Sequence, residues 1–175
     1  MYLKRAFLGI VAAASVAGMS ILLSNPGYAQ DVEAKVKTSM GALKSKAAKI
    51  GPAKAEGTEA VAGKTVPAIY FGGTKINNNF DLVDEVVKEN GGTATIFAKS
   101  GDEYVRVSTN VKKDDGSRAI GTILDPKGKA IVAINEGKPF YGEVTILDKP
   151  YVTGYEPMRD AGNKVIGIYY VGYMK

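Results

Sequence analysis

The sequence predicts an α+β domain, with one long amphipathic helix laid on a single, mostly antiparallel sheet. Three observations predict it. An apolar stripe at helical spacing runs from Asp31 to Ile50. Two β-rich runs, Thr93–Ala98 and Tyr104–Val111, flank a short Ser100-Gly101-Asp102 break and read as a hairpin. Three further β-rich runs close the chain: Tyr141–Leu147, Tyr151–Met158 and Val165–Tyr173.

The first 29 residues read as a leader. Lys4 and Arg5 give a positive start, Phe7–Leu23 is uncharged and apolar, and Gly27 and Ala29 place small residues for cleavage before Gln30. An uncleaved membrane anchor is the second reading, although the apolar run is at the short edge for a span. Both readings put the rest of the chain outside the cytoplasmic membrane, in the periplasm or secreted.

Asp31–Ile50 follows as a helix. Val32, Val36, Met40, Leu43, Ala47 and Ile50 recur at steps of four and three. Such a stripe packs on the sheet of its own domain. The 36-40-43-47-50 spacing also fits a heptad seam, so a homodimer through this helix is the second reading. Gly51-Pro52 ends the helix. Ala53–Lys64 has no clear period and reads as a linker.

The globular part starts near Val66. Pro67–Ile76 suggests a strand broken at Gly72-Gly73, and Asn77–Asn79 a polar turn able to cap the next helix. That helix is expected over Asp81–Asn90, with Phe80, Val83, Val86 and Val87 on one face and a stop at Gly91-Gly92. After the hairpin, Lys112–Ser117 is a charged turn; its aspartates lack the alternating ligands of a calcium loop. Leu124–Ala133 holds one or two helical turns. Val165–Tyr173 is almost continuously apolar, as a central strand should be.

Composition excludes several chemistries. Among 175 residues there is no Cys and no His. No Ser-His-Asp or Cys-His nucleophile can form, nor a Cys/His zinc site, nor a disulfide. No activated nucleophile or paired-carboxylate motif is visible, so an enzyme is not expected, and no cofactor is implied. The net charge is only +5, with lysines scattered over 35–64, unlike a nucleic-acid-binding stripe.

The second hairpin strand carries the candidate site. Strict alternation puts Tyr104, Arg106, Ser108 and Asn110 on one face and Val105, Val107, Thr109 and Val111 on the other. A phenol, a guanidinium, a hydroxyl and an amide on one strand face suit a small polar ligand. An Arg on an inner strand needs an anionic partner, and its fork suits a carboxylate. An internal salt bridge to Glu143 or Glu156 is the competing reading. Arg118 is either a second positive group or a cap for the preceding turn. Tyr151, Thr153 and Tyr155 share a face and offer hydroxyls, or simply pack. Lys149 and Tyr141 are weaker candidates.

From about Val66 to Lys175 the chain resembles the single Cache domain, the extracellular PAS-like sensor module of methyl-accepting chemotaxis receptors and sensor kinases. The stretches that carry the resemblance are NNNFDLVDEV, TATIFAKSGDEYVRVSTN, DDGSRAIGT, YGEVTILDKPYVTGYEPMRD and GNKVIGIYYVGY, in that order. The resemblance implies a long N-terminal helix against a five- or six-stranded antiparallel sheet, with a small-molecule pocket on the other face. It implies binding rather than catalysis, with a small organic anion as ligand. It also implies a membrane sensor kinase or chemoreceptor as partner. Arg106-Val107-Ser108 is similar to an Arg-x-Ser motif that helps hold the ligand carboxylate in citrate and fumarate sensor kinases, where His follows instead of Thr109. In receptors the last strand runs on into a membrane helix; the sequence stops at Lys175, so a domain secreted alone is expected. An interaction module without a small ligand, docking to a membrane sensor through its first helix, is the alternative.

Overall fold

The computed structural model describes residues 26–175, with side-chain detail from residue 31. Most of the leader therefore lies outside the described residues. No helix among those described is long and apolar enough to cross a membrane. The chain folds as α1 (Pro26–Ile50), β1 (Ala53–Val61), β2 (Lys64–Phe71), β3 (Thr74–Lys75), α2 (Asp81–Asn90), β4 (Thr93–Ser100), β5 (Glu103–Thr109), α3 (Lys129–Asn135), β6 (Phe140–Ile146), β7 (Lys149–Arg159) and β8 (Val165–Met174). The α+β expectation holds, but the strands form two antiparallel sheets, ordered β1-β2-β3 and β5-β4-β8-β7-β6.

The extra sheet corrects the linker reading. Ala53–Val61 pairs with β2 along nearly its whole length, with an irregularity at Gly57. β1 is largely exposed on both faces, so it never shows the apolar alternation that marks a strand in sequence. Its backbone pairing, not its side chains, makes it one. At the α1–β1 junction the chain runs against Gly72. A Cβ on Gly51 would lie 2.5 Å from the Gly72 Cα, which is why the helix ends on a glycine there.

The α1 stripe packs inside its own domain. Val36, Met40, Leu43 and Ala47 are fully buried, while Ile50, the last predicted member, is exposed. They join one face of the five-stranded sheet, including Ile96, Ala98, Val105 and Val107, and the apolar face of α2. That burial occupies the stripe except for Ile50, so Val36, Met40, Leu43 and Ala47 are not on the surface as a coiled-coil seam would require. α2 spans the expected residues, with the Asn79 side chain accepting from the Asp81 amide.

The opposite face of the same sheet builds a second core. Phe97, Tyr104, Tyr155, Ile168 and Tyr170 meet α3 and the segment before it. β8 is central, as its apolar run predicts. The strands approach closely here: a Cβ on Gly167 would stand 2.1 Å from the Phe97 carbonyl oxygen. Residues 118–124 lie beside β5. Arg106 N donates to Thr122 O, Gly121 N to Arg106 O and Leu124 N to Tyr104 O, each at 2.9 Å. This segment acts as a partial sixth strand and walls the second face.

Candidate ligand-binding site

A cavity of about 510 Å³ opens between the second sheet face, the 122–130 segment and the β6–β7 hairpin. This volume suits a small-molecule site. Arg106 and Tyr155 form its floor and Thr122 stands beside them.

Arg106 is only 4% exposed. β5 aims it at the cavity because its partner across the strand pair is Phe97, on the second face. Its guanidinium lies 5.0 Å from the Phe97 ring centre. Nη1 donates to Thr122 Oγ1 at 2.7 Å, and Thr122 in turn donates to Ala119 O. Nε is buried with no acceptor. The two carboxylates that could have paired with it are engaged elsewhere. Glu143 binds Lys175 at 2.7 Å, and Glu156 binds Lys44 and Tyr141. Burial presses the Arg106 pKa downward while Tyr155, Tyr170 and Tyr151 push it back. A guanidinium stays protonated regardless, so the floor carries a charge with an unused donor. Such a group is costly unless an anion satisfies it.

Tyr155 is 1% exposed, its ring 4.9 Å from that of Tyr170. Burial raises its pKa well above the usual phenol range; Arg106 opposes that shift and Asp125 adds to it. The phenol therefore stays protonated and can donate.

The other predicted residues are placed differently. A register shift in β5 pairs Ile96 with Ser108 but Phe97 with Arg106. Successive residues of β4 point to opposite faces, so Ser108 leaves the Arg106 face; its hydroxyl donates to Asn79 O, beside α2. Thr109 takes the vacated face, bonding Thr95 at 2.6 Å. Arg118 stands outside the cavity, forked onto both oxygens of Asp84 at 2.7 Å and stacked on Phe80. It also donates to Thr109 O at 2.8 Å, so it clamps the loop to α2 and does not line the cavity. Tyr104 donates to Asn135 on α3, Thr153 to Gly142 O on β6, and Tyr151 packs in the second core. These three support the site without lining its floor. Lys149 pairs with Asp114.

Thr122, Leu124, Asp125 and Lys129 line the cavity and were missed by sequence reasoning. Their signal is non-local, because it comes from the pairing of 118–124 with β5. Among the described residues no cluster of acidic side chains is arranged to hold a metal.

The family comparison is decisive for class. The model of the Cache 3/Cache 2 fusion domain matches residues 21–175. The chain belongs to the Cache family. Cache domains are extracellular ligand-binding sensor modules of signalling proteins, so this Cache domain is one by family, and binding rather than catalysis is the family's business. Among solved structures, a "Methyl-accepting Chemotaxis protein X" matches at 15% identity and a TM-score of 0.48, over 85% of this chain and 58% of that one. The chain thus spans little more than half of that receptor chain. No curated protein matches by sequence.

Proposed function

We propose that this Cache domain senses a small carboxylate outside the cytoplasmic membrane, held by Arg106. The observation that carries the reading is a guanidinium only 4% exposed, with no carboxylate partner among the described residues, on the lining of an open cavity. A carboxylate accepting from Arg106 and from the Tyr155 hydroxyl would satisfy both groups. Tyr104, Thr153 and Tyr151 hold the floor in place rather than touch the ligand. The signal would pass to a membrane sensor kinase or chemoreceptor, the leader Met1–Ala29 exporting the domain. α1, whose Lys44 meets Glu156 next to Tyr155, is the natural element for that contact.

A thermal-shift screen of the chain from Gln30 against small carboxylates, amino acids and purines tests this. A ligand of the folded state alone, at a hundred times its dissociation constant, should stabilise by about 2.7 kcal/mol. Exchange of Arg106→Ala should weaken binding by about 2 kcal/mol or more, some thirtyfold, without unfolding the domain. Unchanged affinity in that variant would sink the assignment. No shift across the panel would favour the interaction-module reading. Deleting α1 cannot test that alternative, because α1 supplies Val32, Val36, Met40, Leu43 and Ala47 to the first core; substitution of its exposed lysines can.

A further inference from the structure

The cavity says more about its ligand than the sign of one charge. Its volume is about 510 Å³, far more than a two- or three-carbon acid fills. Its walls above Arg106 include the apolar side chains of Leu124, Ala130, Val144 and Ile146. Leu124, Ala130 and Ile146 belong to the second core, and Val144 packs half-buried against it. Hydrophobic wall continuous with the core, but facing a cavity, is surface that a ligand body can cover.

The charges are arranged asymmetrically. Arg106 is the one buried cation on the lining. Lys129 and Asp125 stand exposed at the mouth with opposite signs. Glu143 borders the cavity by its backbone position, but it pairs across the strands with Val152, on the first face, and binds Lys175. A second carboxylate on the ligand would therefore meet apolar walls, or a mouth where Asp125 offsets Lys129. Only one end of the cavity compensates a full negative charge.

We propose that the site takes a monocarboxylate with an extended apolar body, selected over short acids and over dibasic acids of equal length. The carboxylate sits on Arg106 and Tyr155, and the body lies along Leu124, Val144 and Ile146. This rests on the carboxylate reading above.

Calorimetric titration of the chain from Gln30 with acetate, butyrate, hexanoate and octanoate, below micellar concentrations, tests it. Each added methylene should tighten binding up to about fourfold until the cavity is filled. Adipate, as long as hexanoate but dibasic, should bind at least tenfold more weakly than hexanoate. Val144→Asp, a half-buried position on the edge strand β6, should flatten the chain-length series, and a series as steep as the parent's would overturn the proposal. Acetate or adipate binding as tightly as hexanoate would overturn the proposal while leaving Arg106 as a carboxylate anchor. Octanoate binding unaltered in Arg106→Ala would overturn it as adventitious adsorption. No binding by any of the five acids would overturn the proposal and the carboxylate reading together.

Discussion

Arg106 is an unfavourable residue for the empty domain. Its guanidinium is largely desolvated, it has no ion partner among the described residues, and its buried Nε has no acceptor. Replacing a buried charge with an apolar side chain of similar length is often neutral or stabilising. Arg106→Met should therefore melt at the same temperature as the parent or higher, and lose the ligand-induced shift. A fall of several degrees in the ligand-free melt would instead make Arg106 a structural residue. Ser108 should behave in the opposite way. Its hydroxyl serves Asn79 O, not the cavity, so Ser108→Ala should cost about 1 kcal/mol of stability and leave affinity alone. Weaker ligand binding in Ser108→Ala, at unchanged stability, would return Ser108 to the site. The contrast between these neighbours was only half legible in the sequence. Alternation correctly sorted Tyr104 and Arg106 from Val105 and Val107 onto opposite faces. It failed at Ser108 because a bulge adds one residue and flips everything beyond it, and nothing in Arg-Val-Ser-Thr announces a bulge.

Between elements, the tie from the ligand face to α1 is Glu156. It follows Tyr155 on β7 and faces the other way, binding Lys44 of α1 and the Tyr141 hydroxyl. Burial pushes its pKa up, but these two hydrogen bonds outweigh burial and hold the carboxyl below the usual range. A depressed folded-state pKa means stability that is present above the unfolded value and lost as pH falls through the folded one. The melting-temperature gap between the parent and Glu156→Gln should thus be widest near neutrality. It should close below about pH 4, where the unfolded carboxyl is already protonating. A gap independent of pH would mean that the Lys44 contact contributes nothing through charge. The Arg118–Asp84 fork works between elements too, closing the 110–118 loop onto α2. Its residue types were visible in the sequence, but which carboxylate Arg118 finds depends on how α2 crosses the sheet.

At the scale of the whole molecule, one five-stranded sheet separates two cores with different tasks. The first is closed by α1, α2 and the three-stranded sheet. The second is completed only by α3 and the 118–124 segment, and it holds the cavity. A ligand bound to Arg106 would also order Thr122, which Arg106 Nη1 contacts, and through it the hydrogen bonds that join that segment to β5. Hydrogen exchange should then slow at the amides of Arg106, Gly121 and Leu124 on binding, while the β1–β2 hairpin is unaffected. Slowing spread evenly over both sheets would point to a general stabilisation rather than to this site.

Periodicity and composition alone determined a good deal here. The helical stripe of α1, the extent of α2, the β4–β5 hairpin and the central place of β8 are all written in local patterns of apolar residues, which burial on one face requires. The absence of Cys and His removed whole classes of chemistry before any fold was known, and Arg106 stood out because a guanidinium on a strand read as inner needs a partner, although β5 is the edge of the five-stranded sheet and is covered by residues 118–124. The tertiary structure decided what depends on pairing between distant segments. It made Ala53–Val61 a strand, since backbone hydrogen bonds can hold a strand whose side chains face water. It turned Ser108 and Arg118 away from the cavity and brought Thr122, Leu124 and Val144 around it. A cavity is assembled from surfaces remote in sequence, so the buried charge on its lining could be read from one strand, whereas the shape of its walls could not.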